Sequence, residues 1–240
     1  MPDQRLDLTL DLIARAHPTP VADDATALAL MSDAELAPGL AAAFAARPLP
    51  AEGLWVFGYG SLIWRPEFTY SERRVGTVHG YHRRFCLLQR RFRGSVDNPG
   101  LVLALDAGGS CDGVAFRLTG DEAAETLLPV WRREMRGNGY IGRWVTVETA
   151  AGQIQALTFV VNPDSDRYTG PISDAAIADR IASGAGHLGP SAEYLFRTVS
   201  ACLAEGIRCP HLLTLQGMVA ERLRARLPRS GNPDRPGNSG

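Results

Sequence analysis

Apolar positions along the chain alternate between a helical and a strand period. Residues 1 to about 50 carry the helical one. LDLTLDLIARA sets Leu6, Leu10 and Ile13 on one face, and the Ala-rich SDAELAPGLAAAFAARP follows Ser32, a suitable N-cap. Pro48 and Pro50 interrupt the chain before LWVFG at 54–58, the first strong strand signal. From 54 to about 162 the pattern is mainly β. RVGTVHGYHRRFCLLQ, LVLAL and CDGVAFRLT are rich in β-branched and aromatic residues and separated by Gly-rich turns, while WVTVET and IQALTFVV flank AAGQ as a hairpin. One helix interrupts these strands. It starts near Thr119 and Glu122, spaced as a capping box, and runs through EAAETLLPVWRREM to Gly137, with Pro129 placed to kink it. After 170, SDAAIADRIASG, SAEYLFRTVSACLAEG and HLLTLQGMVAERLRARL are amphipathic; in the second, Leu195, Val199 and Leu203 recur at helical spacing. The closing stretch PRSGNPDRPGNSG has almost no apolar content and is expected to be disordered.

Strands followed by a helical C-terminal run predict an α+β fold, with an antiparallel-rich sheet curled towards a barrel. The expected organisation is a helical N-terminal extension over 1–50, one globular domain over 51–227 and a disordered tail over 228–240. A chain of 240 residues with 45% hydrophobic residues can bury a real core without staples. The formal net charge of −1 leaves no basic field for nucleic acid and no polybasic segment for a membrane surface. MPDQRLDLTLDLIARAHPTP contains no uninterrupted apolar run of the kind a signal peptide or membrane span needs. Cys86, Cys111, Cys202 and Cys209 form no CxxC pair and match no common zinc spacing, so buried free thiols in a reducing cytoplasm are expected.

Two segments stand out for chemistry. In FGYGSLIW at 57–64, an apolar strand ends in two glycines bracketing an aromatic residue, then a hydroxyl. Glycine lets backbone approach a ligand closely, and successive N–H groups in such a turn make a nest for a small carboxylate. A tight turn that needs glycine only for its geometry fits the same residues, and both readings stand. In WRREMRGNGY at 131–140, Glu134 occupies the last turn of a helix, where the macrodipole favours cations. Arg132, Arg133 and Arg136 suit that position and Glu134 does not. Trp131, Met135 and Tyr140 offer the apolar cover that makes a carboxylate a useful acid/base, whereas a Glu paired to a neighbouring Arg on a solvated face is the commoner arrangement.

Other candidates are weaker. His79 and His82 in HGYH point to opposite faces of a strand, which disfavours a shared metal. The five arginines between 83 and 93 read as a solvated edge strand, since no RNP-type pattern accompanies them. Ser61 lacks the G-x-S-x-G arrangement of a nucleophile elbow.

Taken in order, WVFGYGSLIWRPEF at 55–68, RVGTVHGYHRRF, RGSVDNPG, WRREMRGNGY, FVVNPDSDRYTGPI and GPSAEYLFRTVSACLAEGI followed by His211-Leu212 resemble the ChaC-like, glutathione-specific γ-glutamylcyclotransferases. The resemblance runs from about 50 to 225. YGSLIW combined with a downstream R-E-x-x-x-x-G-Y is specific; either alone is weak.

The resemblance implies a γ-glutamylcyclotransferase-like fold, a small antiparallel-rich β-barrel with surrounding helices. It implies a carbon–nitrogen lyase that cuts glutathione into 5-oxoproline and Cys-Gly without metal or cofactor, with a small molecule as its partner. Phe57, Gly58, Tyr59, Gly60, Ser61 and Leu62 fall at the family's substrate loop, Glu134 at its catalytic glutamate, and Tyr168 at a pocket-lining position. A relative acting on other γ-glutamyl amines or amino acids, or a non-enzymatic carboxylate-binding module, remains as an alternative. Oligomeric state is not legible.

Overall fold

The computed structural model describes residues 6–47, 53–118 and 123–228. The Thr119–Glu122 capping pair, Pro48, Pro50 and the tail from 229 onward lie outside the described residues.

Five strands form a closed barrel in the order β1-β3-β2-β4-β5: β1 (Leu54–Gly58), β2 (Glu72–Gln89), β3 (Gly100–Leu118), β4 (Tyr140–Thr149) and β5 (Gly152–Val161). Neighbours along that order are antiparallel, and the barrel closes through a parallel contact of β1 with β5, Trp55 opposite Ala156 and Val56 opposite Leu157. Both β1 and the second half of β5 are buried throughout, which explains why LWVFG and ALTFVV read as unbroken apolar runs. Phe57, Phe85, Phe116 and Phe159 are fully buried. Each such side chain contributes roughly 1.5–3 kcal/mol relative to exposure.

The remaining elements cover this barrel: α1 (Leu10–Ala16), α2 (Asp33–Ala46), the single turn α3 (Ser61–Trp64), α4 (Ala123–Met135), α5 (Asp174–Ser183), the two-residue strands β6 (Ala185–Gly186) and β7 (Gly189–Pro190), α6 (Ser191–Ala204) and α7 (Pro210–Arg226). Ser32 caps α2 in a complete capping box with Glu35. Trp131 and Trp144 donate from their indole nitrogens to Leu36 O (3.3 Å) and Ala43 O (2.8 Å), pinning α2 to α4 and β4.

Three expectations change. LVLAL and CDGVAFRLT are one strand, because Gly108 and Gly109 adopt positive φ without reversing the chain and form a bulge in β3 opposite the single Gly80 of β2. In α1, Leu10 is 47% exposed while Leu8, Leu12 and Ile13 are buried. The helix begins only after the Thr9 cap, so Leu6 lies outside its period. In α6 the buried face is Leu195, Val199 and Cys202, with Leu203 only half-buried.

Candidate active site

The end of β1 feeds a tight loop. Tyr59 and Gly60 follow the strand, and Ser61 and Leu62 open α3. Thr158 on β5 donates to Phe57 O (2.9 Å), the Tyr59 hydroxyl donates to Phe159 O (2.6 Å), and the buried Arg83 guanidinium donates to Tyr59 O and Asp112 O. Neither glycine of the loop has positive φ; both serve close approach. A Cβ at Gly60 would sit 2.8 Å from the Tyr194 hydroxyl.

Glu134 reaches this loop from the last turn of α4. Tyr59, Gly60, Ser61, Leu62, Leu103, Glu134, Tyr140, Phe159 and Tyr194 line one crevice. The crevice shares Ser61, Glu134, Tyr140 and Tyr194 with a larger cleft of about 500 Å³, bounded by Arg91, Phe92, Arg93 and Leu188 on one side and Arg132, Arg133, Arg136 and Gly137 on the other. That volume falls in the range of small-molecule sites, roughly 300–1,000 Å³.

The Glu134 side chain is 12% exposed and paired to Arg133, whose Nε and Nη2 lie 2.9 and 2.8 Å from Oε1. The ion pair considered from sequence therefore exists, but it faces a cleft and not a solvated helix surface. Arg133 also donates to Ser61 Oγ (3.3 Å), Arg65 O and Glu67 (both 2.9 Å), tying the carboxylate to the loop. Burial pushes the Tyr194 hydroxyl up to about 12, with the Glu134 charge adding to the effect and backbone hydrogen bonds at Leu103 and Ser61 opposing it. Burial, with the Glu134 charge second, likewise raises Tyr140 well above the usual phenol range. Both are neutral hydroxyls at physiological pH. Tyr140 donates to Leu103 O (2.8 Å).

The helix end that carries Glu134 is secured from three directions. Asn138, with φ of 52°, terminates α4 and donates to Met135 O (3.1 Å). Met31 N–H donates to Arg136 O (2.9 Å), and the buried Arg167 guanidinium donates to Gly137 O (3.0 Å) and Leu88 O (2.9 Å). Two helix-end carbonyls thus find donors, and Arg167 is the cation the macrodipole favours there.

A family model described as "ChaC-like protein" matches residues 54–222. The chain belongs to the ChaC-like family. It is 39% identical over 169 residues to a glutathione-specific γ-glutamylcyclotransferase of Escherichia coli, covering 70% of this chain and 72% of that relative. It is 37% identical over 183 residues to glutathione-specific γ-glutamylcyclotransferase 1 of Danio rerio, covering 71% and 91%. A crystal structure of a yeast γ-glutamyl cyclotransferase specific to glutathione shares the fold, with a TM-score of 0.65 at 23% identity over 72% of this chain and 97% of that one.

In this ChaC-like chain, Tyr59, Gly60, Ser61, Leu62 and Glu134 converge on one crevice. Phe57 and Gly58 do not line it; they lie in the wall beneath, buried against the barrel. Tyr168 is elsewhere. Its hydroxyl donates to Asp106 (2.9 Å to Oδ2), and its neighbour Arg167 lines the cleft instead. Trp131 does not cover Glu134 either. It turns towards β4, where Gly142 lacks the side chain that would block it: a Cβ there would meet the indole at 2.7 Å. Met135 borders the groove beside α2, so of the three expected covers only Tyr140 is present, joined by Tyr194. The Arg-rich stretch is not a solvated edge. Arg83 is buried under the loop, while Arg91 and Arg93 line the cleft. His79 and His82 have separate partners, Glu148 and Gly108 O. Among the described residues, no group of three or more His, Cys, Asp or Glu is placed to hold a metal, and no helix is long and apolar enough to cross a membrane.

Proposed function

We propose that this ChaC-like protein is a γ-glutamylcyclotransferase that converts glutathione into 5-oxoproline and Cys-Gly, with Glu134 as its acid/base. The observation that carries the reading is the Glu134 carboxylate held inside the same crevice as the Tyr59–Leu62 loop.

The substrate's own α-amino group attacks its γ-carbonyl carbon. The C–N bond of the five-membered ring forms, and the C–N bond to cysteine breaks. Before attack, the α-ammonium, with a reference pKa of about 8, must lose a proton. Both Arg133 contacts fall on Oε1, so Oε2 of Glu134 takes that proton and returns it to the departing amine; the second proton, shed by the attacking nitrogen as it becomes the ring amide, passes to the released amine by the same oxygen. The loop's task is to hold the γ-glutamyl chain folded, because an extended chain does not cyclise; tethering and alignment of this kind reach effective molarities of about 10⁵–10⁸ M. Backbone N–H groups of the loop grip the γ-glutamyl moiety. The neutral Tyr194 hydroxyl, beside Ser61, is the donor available to the developing oxyanion. Cys-Gly extends into the larger cleft. The reading places the protein in the cytoplasm, where glutathione is abundant and the four cysteines stay reduced; all four are free.

The test is to supply glutathione and N-acetylglutathione in parallel. Glutathione should yield 5-oxoproline and Cys-Gly in equal amounts, and the acetylated compound should yield no Cys-Gly. Free glutamate as the product, or cleavage of the acetylated compound, would make water the nucleophile and overturn the cyclisation.

A further inference from the structure

The family match begins at residue 54, yet residues before it reach the cleft. Leu30 is among the lining residues, and Leu28 Cδ2 lies 3.3 Å from where a Cβ on Gly137 would stand. The segment between α1 and α2 is fastened at both walls. On one wall, Asp23 pairs with Arg91 through both carboxylate oxygens (2.7 and 2.8 Å) and lies 2.9 Å from His187 Nδ1. On the other, Asp33 pairs with Arg132 through both oxygens (2.9 and 2.8 Å) and lies 3.6 Å from Arg136, whose carbonyl accepts from Met31. Residues 23–33 therefore run from one rim to the other.

We propose that residues 23–33 form a strap across the leaving-group end of the cleft, with Leu30 as its inward face, and that this strap restricts the released peptide to a short one. The inference rests on the cyclotransferase reading given above. The γ-glutamyl end of the substrate is fixed in the crevice by the loop and Glu134, so chain length beyond cysteine must be accommodated between the two Arg-bearing walls. The strap bounds that space. Its fasteners suit a part that yields. The Asp23 and Asp33 side chains are 42% and 54% exposed, so solvent screens both pairs, although their bidentate geometry places them among the stronger of their kind. The hydrogen bonds from Arg91 and Arg132 keep these carboxyls below the usual carboxylate range, so both stay charged at neutral pH. Removing the N-terminal residues outright would be a poor test, because Leu8, Leu12 and Ile13 belong to the core. Isosteric unfastening avoids this.

The experiment compares glutathione with glutathione lengthened by two C-terminal glycines, in the native protein and in the D23N/D33N double variant. The native protein should favour glutathione in kcat/KM by about tenfold or more, the scale on which pocket walls discriminate. The double variant, and separately Leu30→Ala, should shrink that preference, chiefly through a lower KM for the longer peptide. An unchanged preference would overturn the strap and leave the cyclotransferase reading standing. No 5-oxoproline from either peptide with the native protein would overturn the activity, and the strap's role with it. If the double variant fails to fold, hydrogen exchange decides. Glutathione bound to Glu134→Gln, with binding verified by calorimetry, should slow exchange of the amides between 24 and 32, and unaltered exchange there contradicts the proposal.

Discussion

Arg133 joins more of the site than Glu134 does. It spans the carboxylate, the Ser61 hydroxyl, Arg65 O and Glu67, and nothing in the sequence separates it from Arg132 and Arg136 except its position in the run. Arg133→Met keeps most of the volume and removes every one of those bonds. Turnover should fall by about 10²-fold, the cost of misplacing a reacting group by an ångström, with a smaller change in KM. An Arg133→Met protein with native kcat would show that Glu134 is positioned without it. Gly60 makes the opposite point, a residue chosen for what it lacks. Its added methyl would press on the Tyr194 hydroxyl, and that ring is wedged edge-on against Trp64 and Phe85. Gly60→Ala should lose about 1–3 kcal/mol in urea unfolding by overpacking and weaken glutathione binding in calorimetry. Unaltered affinity would reduce the loop to a structural turn.

At the scale of elements, α4 matters for its end. Arg167 and Met31 supply the donors that let a helix stop under Tyr140 with a carboxylate in its last turn. Arg167→Met leaves the half-buried Gly137 O and Leu88 O without this partner and should destabilise the fold by about 1–3 kcal/mol, the cost of leaving such groups unpaired. A loss below about 0.5 kcal/mol in equilibrium unfolding, the size of an ordinary surface change, would contradict that role. Such long-range supports explain what the sequence concealed. Strand and helix periods are local, so β1, β4, β5 and the amphipathic α6 were legible, whereas the pairing of the Gly-rich loop with Glu134 came only from the resemblance to the ChaC-like enzymes. Which side of α4 Trp131 takes depends on Gly142 in another element. Whether Arg83 and Arg91 face solvent depends on a barrel closing around them. The break expected at Gly108-Gly109 failed because the two glycines form a bulge within β3, opposite Gly80, and the pairing with β2 resumes beyond it.

For the whole molecule, we propose that the N-terminal residues are a layer of the same domain. Leu8 is fully buried, its N–H donates to Gln216 on α7 (2.9 Å), and α2 hangs from two tryptophan indoles. The domain also carries a pH signature. Burial raises Cys86 from 9.0 to about 12, Cys111 from 9.0 to about 11 and Tyr194 from 10.0 to about 12, and raises Tyr59 and Tyr140 well above 10.0. Between those ordinary and native values the unfolded chain releases protons that the native protein retains. Stability therefore falls as pH rises, starting near 9 and steepening beyond 10. Urea midpoints should hold steady to about pH 8.5 and then drop; a flat profile through pH 11 would mean that these groups titrate normally.

Glu134→Gln asks whether Glu134 moves the protons of the cyclisation. Glutamine preserves the shape and cannot accept the ammonium proton. With folding verified by circular dichroism and glutathione binding by calorimetry, 5-oxoproline release should fall by roughly 10²–10⁴-fold or more relative to the native protein. A folded, glutathione-binding Glu134→Gln protein that forms 5-oxoproline at close to the native rate would show that another group moves those protons.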